Sequence, residues 1–303
     1  MLTFNPTKTL DQLLYKRFDY AGMFPPAALT FEAALTEGAA HATSLVRPWL
    51  IGTDLVLDTP HVRLLASCDP QTFGFTSPPS VAMLVTEGAT AAIQASKDLS
   101  QAGAGLQPRV VAFEVKVSVS TLPTLVKELG SHVRATGALI AVEPDLSTPD
   151  WRELLRETVT AITKSPLSPQ LALKCRCTGP TGIGPERLAG AIAAAADAGI
   201  GFKVTGGLHH PIVEPQVHNF PMGFLNVTYA VYMRRTLGST FSEQSMVSLL
   251  TNTRMEALSF ADGIRYEHYE ISRDQLAQAQ LLPFSIGSCS IQEPDQDLVR
   301  LGA

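Results

Sequence analysis

The sequence predicts an α/β protein in which eight parallel strands, separated by helices, close into a (β/α)₈ or TIM barrel. Short apolar runs alternate with longer, alanine-rich helical runs along the chain, the pattern of successive β-α-β units. Charged residues recur near the ends of several of those runs, as at Glu114, Glu143, Lys174 and Lys203, where barrel enzymes place their chemistry. A length of 303 residues fits one large barrel or two ordinary domains. The alternation favours a single barrel domain with an insertion over residues 211–281.

Residues 18–24 form the first predicted strand, and 30–44 the helix that follows. The second strand is expected at 48–55, then an irregular piece that includes residues 62–67. Residues 80–85 are the third strand, and 89–102 a helix ending at Gly103. A fourth strand at 109–117 leads to a helix at 121–135 closed by Gly137. The fifth strand, 138–143, precedes a helix over 149–163. Residues 171–177 and 201–205 are the sixth and seventh strands. The helix between them has Pro185 at its first position and Gly199 as its stop. Residues 283–288 supply the eighth strand.

The connection from 211 to 281 is too long for a simple turn. It contains helical patterns at 222–235 and 242–252, and Asp262-Gly263 between β-prone flanks signals a hairpin. Ser272 is placed to cap a last helix running to residue 280. Long connections at the C-terminal face of a barrel carry function, so this one is expected to cover the barrel mouth.

Apolar residues make up 45% of the chain and charged residues only 17%, which fits a large packed core. A net charge of −5, with no basic run, argues against a nucleic-acid partner. The first residues lack a charged head and apolar run, and no apolar stretch reaches the ~20 residues of a membrane span. A soluble, cytoplasmic protein with no membrane partner is therefore expected. Oligomeric state is not readable. The cysteines Cys68, Cys175, Cys177 and Cys289 do not make a secreted disulfide framework.

Two lysines hold most of the functional information. Lys174 and Lys203 lie near the ends of strands joined by one helix, so the strands run parallel and side by side. Adjacent strands are about 4.8 Å apart, which makes two inward lysines neighbours. An ammonium beside another cation gives up its proton more readily and becomes a better nucleophile. Alternation puts Arg176 on the face of Lys174 and turns Cys175 and Cys177 toward the helices. Glu114 and Lys116 share one face, and Glu143 ends its strand.

Asp19 is either an inward charge on the first strand or a turn residue. His209 and His210, directly after the seventh strand, are open to a substrate contact, acid-base work, loop hydrogen bonding or a metal. His218 is near them in sequence. A structural ion network that merely closes the barrel mouth is the alternative to an active site. Gly182-Ile183-Gly184 lacks the rest of a phosphate-loop motif.

Residues 174–179, Lys-Cys-Arg-Cys-Thr-Gly, and 201–208, Gly-Phe-Lys-Val-Thr-Gly-Gly-Leu, resemble the matching region of deoxyribose-phosphate aldolases. Those enzymes carry Lys-Thr-Ser-Thr-Gly and then Lys-x-x-Gly-Gly, and their closing Phe-Gly-Ala-Ser-Ser is similar to residues 284–290 here, Phe-Ser-Ile-Gly-Ser-Cys-Ser. The resemblance implies that Lys174 forms an imine with a carbonyl substrate and that Lys203 perturbs it. It also implies that Gly206, Gly207, Gly287 and Ser288 bind a substrate phosphate, and that no cofactor is required. The family's strand-four aspartate falls on Glu114, its strand-five lysine falls on Leu139, and Arg176 stands where the family has a small hydroxyl residue.

As a whole the chain also resembles a group of bacterial proteins with Asp-Tyr-Ala-Gly-x-Phe-Pro-Pro-Ala, Gly-Leu-His-His-Pro and Gly-Ser-Cys-Ser motifs, a likeness that implies no activity. The leading expectation is an aldolase-like lyase for a small carbonyl compound, possibly phosphorylated, in which Glu114 or a histidine moves the proton and Arg176 holds an anionic group. The rivals are an anion clamp without covalent chemistry, with or without a metal on the histidines and a glutamate, and a non-catalytic binding barrel.

Overall fold

Alternating small and β-branched residues define the strands, and in the computed structural model, which describes residues 9–42, 51–102, 105–214 and 222–300, they close on themselves. The barrel strands are β1 (Phe18–Tyr20), β2 (Ile51–Asp58), β3 (Ser80–Leu84), β4 (Arg109–Lys116), β5 (Leu139–Glu143), β6 (Leu171–Arg176), β7 (Gly201–Thr205) and β11 (Phe284–Ser288). Every pairing around the ring is parallel, and β11 closes it between β7 and β1. The chain is thus an α/β protein with the expected (β/α)₈ barrel.

Helices α1 (Thr9–Leu14), α2 (Phe31–Ala42), α3 (Thr59–Ala66), α4 (Ala89–Gln101), α5 (Leu122–Thr136), α6 (Trp151–Lys164) and α7 (Pro185–Asp197) precede or separate the first seven strands. Gly137 and Gly199 follow α5 and α7 with φ of 72° and 63°, the left-handed stop that glycine adopts without penalty.

Two local expectations change. The second strand runs on to Asp58, and its predicted start at 48–50 lies outside the described residues. The segment expected to be irregular is helix α3: the Asp58 side chain accepts from the His61 amide, and Pro60 sits in the first turn, where a missing N–H costs nothing. Val62 and Leu65, three apart, bury the inner face.

Side-chain alternation divides the barrel cleanly. Phe113, Val115, Ile140, Val142, Leu173, Cys175, Phe202 and Val204 point outward into the layer between sheet and helices. Inside, Ala21, Val56 and Ala82 pack with Phe24, Leu84 and Ala112 in a separate small cluster. The remaining wall carries the charged residues.

After β7 come α8 (Phe224–Leu237), α9 (Glu243–Leu250), β8 (Leu258–Ser259), β9 (Gly263–Tyr266), β10 (Tyr269–Ser272) and α10 (Arg273–Ala279). Strands β8, β9 and β10 form an antiparallel sheet, whose first hairpin contains the predicted Asp262-Gly263. Ser272 caps α10 in a reciprocal box with Gln275.

Among its described residues the insertion does not line the barrel mouth, against expectation. Every residue of α8 from Phe224 to Arg234 is buried, the mark of a helix covered on all sides. Phe224 meets Phe18 and Tyr232 meets Phe284, both outward residues of barrel strands, at ring-centroid distances of 5.3 and 5.6 Å. Arg235 donates to the carbonyls of Ala279, Leu282 and Pro283, at the entry to β11. Helix α8 is therefore the barrel's seventh outer helix, and Thr9 and Arg273 bind the Ala261 carbonyl beside α1. The apolar faces of the insertion pack against the outer wall. Helix α11 (Gln292–Arg300) follows β11. Among the described residues no helix is long and apolar enough to cross a membrane.

Candidate active site

The C-terminal ends of the strands open into a cavity of about 850 Å³. Lys174 and Lys203 are register partners on β6 and β7, as β-α-β adjacency requires. They do not face each other bare. The Glu114 carboxylate lies between them, one oxygen 2.6 Å from Lys174 Nζ and the other 2.7 Å from Lys203 Nζ. Glu143 lies 2.5 Å from Lys174 Nζ, and its other oxygen accepts from Arg176 Nε at 2.8 Å. Lys203 also donates to Asp19. Three carboxylates and three cations thus alternate in one chain: Asp19, Lys203, Glu114, Lys174, Glu143, Arg176.

Burial explains why the alternation is complete. Lys174 is 1% exposed and Glu114 3%, and an unmatched charge there costs several kcal/mol. Burial alone pushes the Glu114 carboxyl up, but Lys203 and Lys174 outweigh it and bring it down to about 2. Glu143 is likewise held below its ordinary value: burial opposes this, and Lys174 and Arg176 prevail. For Lys203, burial works against the ammonium, yet Asp19 and Glu114 raise its proton affinity above the ordinary lysine value. The expected lysine-lysine repulsion is therefore replaced by a shared carboxylate, and Lys203 is a fixed cation.

The predicted residues separate into groups. Glu114, Lys116, Lys174, Arg176, Gly206, Gly207, His209 and Gly287 border the cavity. Glu143 holds Lys174 and Arg176 by ion pairs, Lys203 holds Glu114, and Asp19 in turn holds Lys203. Lys116 is exposed at the end of β4, and Arg176 remains 29% exposed at the cavity edge.

Gly206 and Gly207, with φ of 87° and 75°, turn the chain sharply after β7. A side chain at Gly206 would meet Thr178 Oγ1 at 2.5 Å, so only glycine lets the loops after β6 and β7 approach this closely. At Gly287 a Cβ would collide with Thr205 Oγ1 at 2.6 Å.

Two residues turn elsewhere. The Ser288 hydroxyl, expected to meet an anion, donates to the Ser290 carbonyl and accepts from the Ser290 amide, which closes the turn after β11. His210 Nδ1 lies 2.7 Å from Asp297 and 3.7 Å from Glu214, away from the cavity lining. The ligand atoms of His210, Glu214 and Asp297 lie within 4.8 Å of one another. This differs from the anticipated grouping of both histidines with a cavity glutamate, because neighbouring side chains diverge as the chain leaves the strand. His218 lies outside the described residues.

Cys175 and Cys177 are buried in the outer layer, as alternation requires, and burial pushes the Cys177 thiol up to about 12. Cys177 also reaches the cavity edge, and Cys289 differs from it in its neighbours. Cys289 borders the cavity, and its sulfur lies 3.3 Å from His209 Nε2, while His209 Nδ1 lies 2.5 Å from Glu293 Oε2. Neither Cys289 nor Glu293 stood out in the sequence. The available signal was Cys289 just past the last strand, with an acid four residues on in the first turn of α11.

No protein-family model matches the chain, and no curated protein matches it.

Proposed function

We propose that this protein is a Schiff-base, aldolase-like lyase acting on a small carbonyl compound, with Lys174 as the imine-forming amine. One observation carries the reading. Lys174 lines the cavity with a carboxylate on either side of its Nζ, Glu114 at 2.6 Å and Glu143 at 2.5 Å, placed to exchange its proton.

The Lys174 ammonium first passes a proton to Glu143 or Glu114, 2.5 and 2.6 Å away. Both carboxylates are deprotonated at rest, and their proton affinity, held low in part by the Lys174 ammonium, rises as that charge is lost. The free amine then attacks the substrate carbonyl to form the C–N bond, and a nitrogen proton moves to the carbonyl oxygen to give the carbinolamine. The proton held by the carboxylate then goes to the carbinolamine hydroxyl, which leaves as water. The resulting iminium draws electrons from the neighbouring C–C bond, which breaks as a carboxylate takes the proton of the β-hydroxyl. Protonation of the enamine and hydrolysis of the imine release the second product and restore Lys174. This sequence balances without a cofactor. Arg176, Lys116 and the turn glycines at the rim suit a phosphate or carboxylate on the substrate.

The test is reductive trapping. A panel of small aldehydes and ketones, neutral and anionic, is incubated with the protein and borohydride, and the modified peptide is identified by mass spectrometry. An adduct on Lys174 that disappears in Lys174→Arg is the expected result. An adduct on Lys203, or none across the panel, would overturn the assignment.

A further inference from the structure

Beyond the lysine network, the same cavity holds a second constellation with a different chemistry. Cys289 follows β11, His209 follows β7, and these two strands are neighbours in the barrel. Glu293, in the first turn of α11, reaches back to His209 Nδ1. A carboxylate at Nδ1 keeps the proton on that nitrogen and leaves Nε2 as an acceptor facing the sulfur. Nucleophile, base and orienting acid are thus in the order that activates a thiol. Cys289 and His209 both border the cavity, so the group has access to a small molecule. Cys175 is buried in the apolar outer layer, and Cys177 reaches the cavity edge with burial pushing its thiol up to about 12.

We propose that Cys289, His209 and Glu293 form a second reactive centre, which accepts the acyl group of a small activated acyl compound, an ester or a thioester. Cys289 Sγ attacks the acyl carbonyl carbon while its proton moves to His209 Nε2. Collapse of the tetrahedral adduct breaks the bond to the leaving oxygen or sulfur, which departs with the proton from Nε2. Water, deprotonated by Nε2, then attacks the thioester, and the thiol leaves with that proton. Burial, the largest influence, raises the Cys289 thiol, with the Ala27 backbone amide working in the opposite sense, so the resting thiol keeps its proton until attack. The Glu293 side chain is 53% exposed and acts by positioning the imidazole.

The experiment uses p-nitrophenyl acetate with the full-length protein, following nitrophenolate release and mapping the acetyl group by mass spectrometry. The readout is separate from reductive trapping on Lys174, so either centre can fail alone. The expected result is a burst of about one equivalent with acetyl on Cys289. Cys68, the partly exposed thiol, serves as the internal reference and is modified more slowly. His209→Ala slows the burst roughly 100-fold, and added imidazole restores part of it. Glu293→Gln, a change at a half-exposed side chain, slows it roughly tenfold or more, with Glu293→Asp between the two. The proposal is overturned if Cys289 stays unmodified while Cys68 or lysines take the acetyl group. It is equally overturned if His209→Ala and Glu293→Gln acylate Cys289 at the wild-type rate.

Discussion

The two walls of the barrel interior share one backbone plan and differ in everything else. On the β1 to β3 side, inward positions hold Ala21, Val56, Ala82 and Leu84 beside the single charge of the ion chain on β1, Asp19, with Ala112 next to Ala82 on β4. On the β4 to β7 side, they hold Glu114, Glu143, Lys174, Arg176 and Lys203. The same pleat and the same parallel pairing support both. Closure of a barrel requires only that one residue in two point inward. What those residues are decides whether the lumen is filled, open or reactive. Small side chains on one wall leave volume, and the ion chain on the other fills that volume with directed charge. An apolar wall opposite a reactive one suits a substrate whose carbon skeleton lies against the alanines while its carbonyl meets Lys174.

Removing the central carboxylate breaks the contrast most severely. Glu114→Gln leaves Lys174 and Lys203 sharing a neutral amide, and losing one partner of a buried pair costs about 3 to 5 kcal/mol at neutral pH. The pH dependence has a definite sign. The folded Glu114 carboxyl, held at about 2, lies below its ordinary value of 4.5, so its contribution is fully present above the unfolded value. That contribution is lost as the pH falls from 4.5 toward 2. Denaturant unfolding of wild type and Glu114→Gln across this range should give stability curves that converge in acid. Parallel curves would show that the carboxylate's ionisation is not what stabilises the fold.

Changing the apolar wall has a smaller effect. Ala82→Leu adds volume inside the barrel beside Val56 and Ala21, and overpacking of this kind costs about 1 to 3 kcal/mol. Reductive trapping on Lys174 should fall more for branched carbonyl compounds than for acetaldehyde. Equal loss for all of them would mean that this wall does not shape the substrate site.

The smallest change is expected at the rim. Arg176 is partly exposed and pairs with Glu143, so Arg176→Ala should cost about 1 kcal/mol or less in unfolding experiments. Its effect on trapping should be selective, with anionic carbonyl compounds weakened roughly tenfold and neutral ones little changed. Uniform loss would place Arg176 among the supports of Glu143, with no role in binding the substrate.

Reading the chain without coordinates reached much of this arrangement for a physical reason. Strand alternation has a period of two, so Lys174 with Arg176, and Cys175 with Cys177, fall on opposite faces wherever the strand is placed. A short β-α-β unit forces β6 beside β7, which makes Lys174 and Lys203 neighbours. Other features were not legible. That Glu114 stands between the two lysines depends on β4 curving round to face β7 across the lumen. The turn of His209 toward the cavity and of His210 toward Asp297 depends on loop geometry that periodicity does not describe. The long connection that contains α8 was expected over the mouth because such connections at the C-terminal face carry function. Only packing shows that one side meets Phe18 and Phe284 and that α9 and β10 also lie against the helix.

By itself the sequence determined the order of the eight barrel strands and of the helices from α4 to α7. It also determined the inward or outward sense of the residues on β6 and β7, and the glycine stops after α5 and α7. These are local properties, set by backbone sterics and by the spacing of apolar residues along a few turns of chain. The tertiary structure alone decided which charge meets which, that Glu114 joins the two lysines, and that Cys289 lies against His209, which Glu293 holds from the other side. Those pairings join residues as much as 184 positions apart, and they exist only once the barrel closes and brings distant strand ends to one mouth.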